Sequence, residues 1–172
     1  MTKIDEPGEY AQNLLNRLGA DDPLTVLERS GAEIRALFEG MVDEAIRRPE
    51  RPGKWSMLEV AHHLADSDIV SGFRIRMILA HDQPPIVGYD QDLWADKLRY
   101  RDARLADVLH QFDAMRDSNL RLARGLDSTQ LARYGIHEER GGESVGYMLR
   151  LMAGHDLVHR DQLGRVARAV SA

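Results

Sequence analysis

No cysteine occurs anywhere in the 172-residue chain. Disulfides, thiolate metal ligands and a cysteine nucleophile are therefore excluded, and any metal site must be built from His, Asp or Glu. Basic charge is not in excess either. The formal net charge is −5 and the pI is near 5.8, with Lys and Arg scattered among acids. Such a surface does not attract a polyanion, so nucleic acid is not an expected partner. No apolar run approaches the ~20 residues that cross a bilayer. The opening MTKIDEPGEY has no apolar stretch of the signal-peptide kind. No membrane partner and a cytoplasmic location are the expectations. Internal repeats and low-complexity segments are missing too. What is present is ordinary for a globular chain, 43% hydrophobic and 30% charged. The length suits one domain over residues 1–172 with a proper core.

Residues 1–21 read as an N-terminal leader, with a short helix from Tyr10 to Leu18 closed by Gly19. Asp22-Pro23 then opens a first long helix, with Asp as N-cap and Pro in the first turn. Its apolar positions run through Leu27, Ile34, Leu37, Phe38, Met41, Val42 and Ile46, and it is expected to stop near Arg47-Arg48-Pro49. The second helix has a complete start: Ser56 and Glu59 form a capping box, and Trp55 and Val60 a hydrophobic staple. It is expected to run to about Ala80. A long loop follows, through Pro84-Pro85 and Tyr89-Asp90, with a helical turn around Asp92-Leu93-Trp94. Asp102 is the expected cap of a third helix ending at Gly125. A turn at Ser128–Arg133 and a Gly-rich connection from Gly135 to Gly142 lead to Ser144, which caps the fourth. With no convincing strand run, the pattern predicts an all-α four-helix bundle with a long loop between helices two and three.

The fourth helix carries the chemistry. Val145, Met148, Leu149, Met152, Leu163, Val166 and Val170 fall on one inward arc, and His155 and His159 share it. Four apart, their Cβ atoms stand ~5–6 Å from each other. A shared metal ion is the commonest use of such a pair. Asp156 follows the first His where a zinc protease would have Glu, which argues against thermolysin-like chemistry. Two ligands are too few, and helix two offers a third in His62 or His63. Its apolar positions surround it broadly enough that either could face inward. His110 reads as solvated, His81 as a helix-end residue, and His137 as a pocket-mouth candidate.

Taken together, Lys54-Trp55-Ser56, His62-His63-Leu64-Ala65-Asp66-Ser67, Pro84-Pro85-Ile86 with Tyr89-Asp90 and Trp94 after it, and His155-x-x-x-His159 resemble the DinB superfamily, in particular its YfiT-like branch. Pro7-Gly8-Glu9-Tyr10 resembles the start of that branch. The resemblance implies a four-helix bundle, a homodimer, and a divalent ion, nickel or zinc, held by three histidines. It selects His63, the His before Leu-Ala-Asp, alongside His155 and His159. It also implies hydrolase chemistry or transfer of a low-molecular-weight thiol, such as bacillithiol or mycothiol, to a small electrophile.

A three-His site leaves a coordination position open, so an activated water or a thiolate is the expected nucleophile. The imidazoles must be neutral to bind, and affinity should fall in acid. Each should donate its second N–H to an acceptor, with Asp66, Asp156, Asp161 and Gln162 as candidates. Arg74 is placed to steer an anionic substrate, and Tyr89 and Trp94 to cover the site. The rival expectation is a stress-associated metal-binding or interaction protein whose ion only braces the bundle.

Overall fold

The computed structural model describes residues 3–171. Their elements are α1 (Glu9–Leu18), α2 (Pro23–Ala36), α3 (Asp43–Arg47), α4 (Met57–Ala80), β1 (Pro85–Ile86), α5 (Gln91–Lys97), α6 (Leu105–Arg124), α7 (Ser128–Leu131), β2 (Tyr134–His137), β3 (Gly141–Ser144) and α8 (Val145–Val170). The chain is a four-helix bundle of α2, α4, α6 and α8. The main contacts of α2 and of α4 are both with α6 and α8. Helices α2 and α4 therefore stand diagonally opposed, and the connection between them crosses the bundle end.

Local chemistry fixes most helix starts. Asp22 accepts from the Thr25 amide ahead of Pro23. Ser56 and Glu59 close their reciprocal box at α4. Ser144 accepts from the Tyr147 amide at α8. Each satisfies amides that a helix start leaves unbonded.

Three expectations are corrected. The first long helix does not reach Arg47: it ends at Ala36, Gly40 turns the chain at φ 73°, and α3 begins afresh at Asp43. Asp102 does not cap α6. Its carboxylate accepts from Arg99 Nε at 2.6 Å, and α6 starts at Leu105 with no side-chain cap. The Gly-rich connection is not a loop but part of a small sheet. In it β1 pairs parallel with β2, and β2 antiparallel with β3. Its glycines permit close approach: a Cβ on Gly135 would lie 2.9 Å from the Ile86 side chain.

The segment read as a leader is built into the bundle. Ile4 bridges to Gly142, and the Asp5 carboxylate accepts from Ser144 N and Oγ, each at 2.7 Å. Helix α1 buries Ala11, Leu14 and Leu18 and packs on α8. It comes so close that a Cβ on Gly154 would be 2.3 Å from the Leu14 carbonyl oxygen.

The core has two apolar ends. One gathers Ile34, Met57, Leu58, Val108, Phe112 and Leu163. The other gathers Val26, Leu27, Ile75, Ile78, Leu120 and Met148. Between them every long helix contributes a buried polar group to one layer: Ser30 from α2, Asp66 and Asp68 from α4, Arg116 and Asn119 from α6, Asp156 and His159 from α8.

Candidate metal centre

Within that polar layer α4 supplies His63, and α8 supplies His155 and His159 one turn apart. One ring nitrogen from each lies within 4.8 Å of the others. His63 Nε2 is 2.9 Å from His155 Nε2. Ring centroids are 5.0 Å apart for His63–His155, 4.8 Å for His63–His159 and 4.3 Å for His155–His159. His63 is 1% exposed. Burial, reinforced by His159, holds its pKa down to about 3. Burial also lowers His155, with His159 and His63 pulling the same way. It lowers His159 too, against the opposing pull of Gln162. All three rings are neutral at neutral pH, which is the state that ligates a metal.

The outward nitrogens differ. Gln162 Oε1 accepts from His159 Nδ1 at 2.7 Å, leaving the Nε2 lone pair free. Among the described residues His63 Nδ1 is buried with no partner. Ser67 Oγ stands 3.5 Å from His63 Nε2 and 3.2 Å from the Tyr89 hydroxyl. His62 stands apart from this cluster, stacked on Tyr100 with centroids 4.0 Å apart.

The other sequence candidates are distributed less simply. Asp66 is committed elsewhere: it accepts from Tyr100 Oη at 2.6 Å and from Gln111 at 3.1 Å, and bonds none of the three histidines. Asp156 is drawn away by Arg116, whose Nη1 is 2.6 Å from its Oδ2, and by the hydroxyl of Ser30. Asp161 pairs with Arg17 at the surface. Of the four acceptors expected beside the rings, only Gln162 makes the contact. Trp94 packs on the Tyr89 ring, centroids 4.6 Å apart, and stands behind it rather than against the cavity. His137 is 2% exposed in β2, its Nδ1 accepting from the Glu139 amide, and it is not among the cavity lining. Arg74, Tyr89 and Asp156 do line it.

That cavity measures about 730 Å³ and opens from His63 and His155 along α4, α8 and α1. Its floor is an ion network that the sequence reading missed. Arg116, 5% exposed, spans Asp68 and Asp156 and reaches Ser30 Oγ at 2.7 Å and the Leu27 carbonyl at 3.0 Å. Burial opposes the charge on Arg116, but the two carboxylates outweigh it and raise its pKa. Ser67, Ser71, Tyr10, Met148, Leu151 and Met152 also line the cavity. Ser67 and Ser71 lie four and eight positions beyond His63, so helical spacing alone was a signal for both.

The DinB superfamily profile matches residues 26–163. YfiT of Bacillus subtilis is 33% identical over 101 residues, which is 58% of this chain but only 55% of that relative's length. An Oceanobacillus iheyensis relative, whose name refers to a metal-dependent hydrolase, is 29% identical over 117 residues, 68% of this chain and 67% of its own. The solved structure of YfiT, described as a probable metal-dependent hydrolase with an unusual four-helix bundle topology, is similar with a TM-score of 0.76 at 28% identity, over 84% of this chain and 85% of that one. A second solved structure, described as a four-helix bundle protein, has a TM-score of 0.63 at 23% identity, over 84% and 98%. The second likeness is one of fold alone.

Proposed function

This chain belongs to the DinB superfamily, and on that premise we propose that it is a divalent-metal-dependent enzyme whose ion is held by His63, His155 and His159. One observation carries the reading: three imidazoles from two helices, each kept neutral by burial, bring ring nitrogens within 4.8 Å of one another, and two of them, His63 and His155, line a cavity. The donor set fits an ion. Two nitrogens bound at ~2.0–2.1 Å to one tetrahedral ion stand about 3.3 Å apart; His63 and His155 stand 2.9 Å apart, and all three nitrogens lie within 4.8 Å of one another. Gln162 leaves His159 ready to offer its own Nε2. All-nitrogen ligation suits zinc and nickel.

Once bound, the ion supplies Lewis acidity, polarising a carbonyl and acidifying a water or thiol beside it. The chain's own groups do the rest. Burial keeps the three rings free of protons that would compete for the same lone pairs. Ser67 and Tyr89, a hydroxyl pair beside His63, are positioned to donate to a substrate oxygen. Met148, Leu151 and Met152 keep water from the substrate's body. Hydrolysis accords with the names of the relatives. Transfer of a low-molecular-weight thiol would use the same centre, and a cavity of about 730 Å³ has room for a thiol and its acceptor together.

The test is metal content. Untagged protein should carry about one ion per chain by mass spectrometry, and His63→Ala, His155→Ala and His159→Ala should each lose it. Stoichiometric metal surviving in all three variants would end the reading.

A further inference from the structure

Three guanidinium groups line the cavity, those of Arg74, Arg116 and Arg140. Arg116 is clamped between Asp68 and Asp156. Arg140 pairs with Glu143, its Nε 2.6 Å from Oε1. Among the described residues Arg74 has no carboxylate partner. Its Nη2 donates to the Val87 carbonyl, and the group stands 6.0 Å from the centre of the Tyr89 ring. It is half-buried, and burial pulls its pKa down, with Arg140 pulling the same way and Glu143, Tyr89 and Glu138 pulling against them. The group nevertheless stays charged, as arginine does in proteins. A partly desolvated cation with spare donors and no carboxylate in ion-pair contact offers a place for an anion.

Its distance from the histidines is fixed by α4. His63, Ser67, Ser71 and Arg74 all line the cavity from that one helix. Eleven positions at 1.5 Å each separate the Cα atoms of His63 and Arg74 by about 16 Å. The arginine side chain leans back towards the helix N-terminus, which brings its head group nearer, to about 10–16 Å. Across the cavity Met148, Leu151 and Met152 give an apolar wall between the two ends.

We infer that the cavity takes an elongated organic oxyanion, a carboxylate or a phosphate monoester, gripped by Arg74 at one end and presenting its reacting group to the histidine cluster at the other. This rests on the metal reading for the reacting end alone. The acids near the mouth act on Arg74 through space, but none forms an ion pair with it. Glu138 accepts from the Gly88 amide, Glu143 is paired and Asp90 caps α5. Glu9 and Glu139 are exposed at the rim, where water and salt screen them.

Calorimetry on the metal-loaded full chain tests the inference, with alkyl hydroxamates as probes. Their far end is either a carboxylate or a neutral carboxamide. At ~1.2 Å per bond of extended chain, roughly eight to thirteen bonds should span the two ends. Carboxylate-ended probes of that length should bind about tenfold or more tightly than their amide twins. Arg74→Gln should erase that advantage and leave the amide series and the melting temperature unchanged, while Arg74→Lys should retain part of it. Equal binding of the two series, or an advantage that survives Arg74→Gln, overturns the inference. If amide-ended hydroxamates fail to bind, the metal reading has failed by itself, and octanoate and octyl phosphate then decide. Binding of either that depends on Arg74 upholds the oxyanion site and says which oxyanion it takes; no such binding overturns it.

Discussion

Gln162 sets the tautomer of His159. With its amide oxygen 2.7 Å from Nδ1, the proton stays on that nitrogen and Nε2 keeps a lone pair facing the cluster. Replacing it by Leu preserves bulk and removes the acceptor. Metal affinity of Gln162→Leu, read by competition with a chelator, should fall about 10–100-fold, with the melting temperature of the metal-free protein little changed. Equal affinity in the two proteins would show that the ring needs no such partner. The pair His155 and His159 was legible in the sequence because a spacing of four is itself a geometric statement. The choice between His62 and His63 was not legible from periodicity, because α4 is buried around most of its girth. Tyr100, distant in sequence, settles the conformation of His62 by stacking on it. Asp66 and Asp156 misled for the same reason: their partners, Tyr100 and Arg116, come from elsewhere in the chain.

At the scale of elements, helix α1 is a wall of the cavity and not an appendage. Tyr10, Ala11 and Leu14 line it, and α1 holds its place by lying against α8 at Gly154. A Cβ there would meet the Leu14 carbonyl oxygen at 2.3 Å and its carbonyl carbon at 2.7 Å, both backbone atoms that cannot swing aside. Gly154→Ala should therefore push α1 outward, costing about 1–3 kcal/mol of stability in urea unfolding. Amide exchange should rise in α1 while α4 and α6 keep their protection. A variant as stable as the parent, with α1 equally protected, would mean that α8 gives way instead. The helix starts at Asp22, Ser56 and Ser144 were readable because a cap is a contact within one turn. The sheet was not. Gly135 and Gly142 look like loop residues in isolation, and only the approach of Ile86 and of Ile4 explains why side chains are excluded there.

At the scale of the whole molecule, the bundle holds a layer of buried polar groups between two apolar ends, and its stability should depend on pH through that layer. In the metal-free protein His63 is held down to about 3, first by burial and then by His159, whereas in the unfolded chain a His titrates near ~6.5. Above the unfolded value both states are neutral, and this group gives no dependence. Between the two values the unfolded chain carries a proton that the folded chain refuses. Unfolding then takes up that proton, so stability falls as the pH drops through this window, by ~1.4 kcal/mol per pH unit for each such group once well below the unfolded value. His155 and His159 are lowered in the same direction and steepen the fall. Urea unfolding of the metal-free protein between pH 7.5 and 5 should show this decline, and His63→Leu should flatten it. Zinc or nickel at a hundredfold excess over its dissociation constant should add ~2.7 kcal/mol at neutral pH. That increment should shrink in acid, since protons and the ion compete for the same three nitrogens. A decline that His63→Leu leaves equally steep would assign the acid sensitivity to His155 and His159, which burial lowers in the same direction, and not to His63.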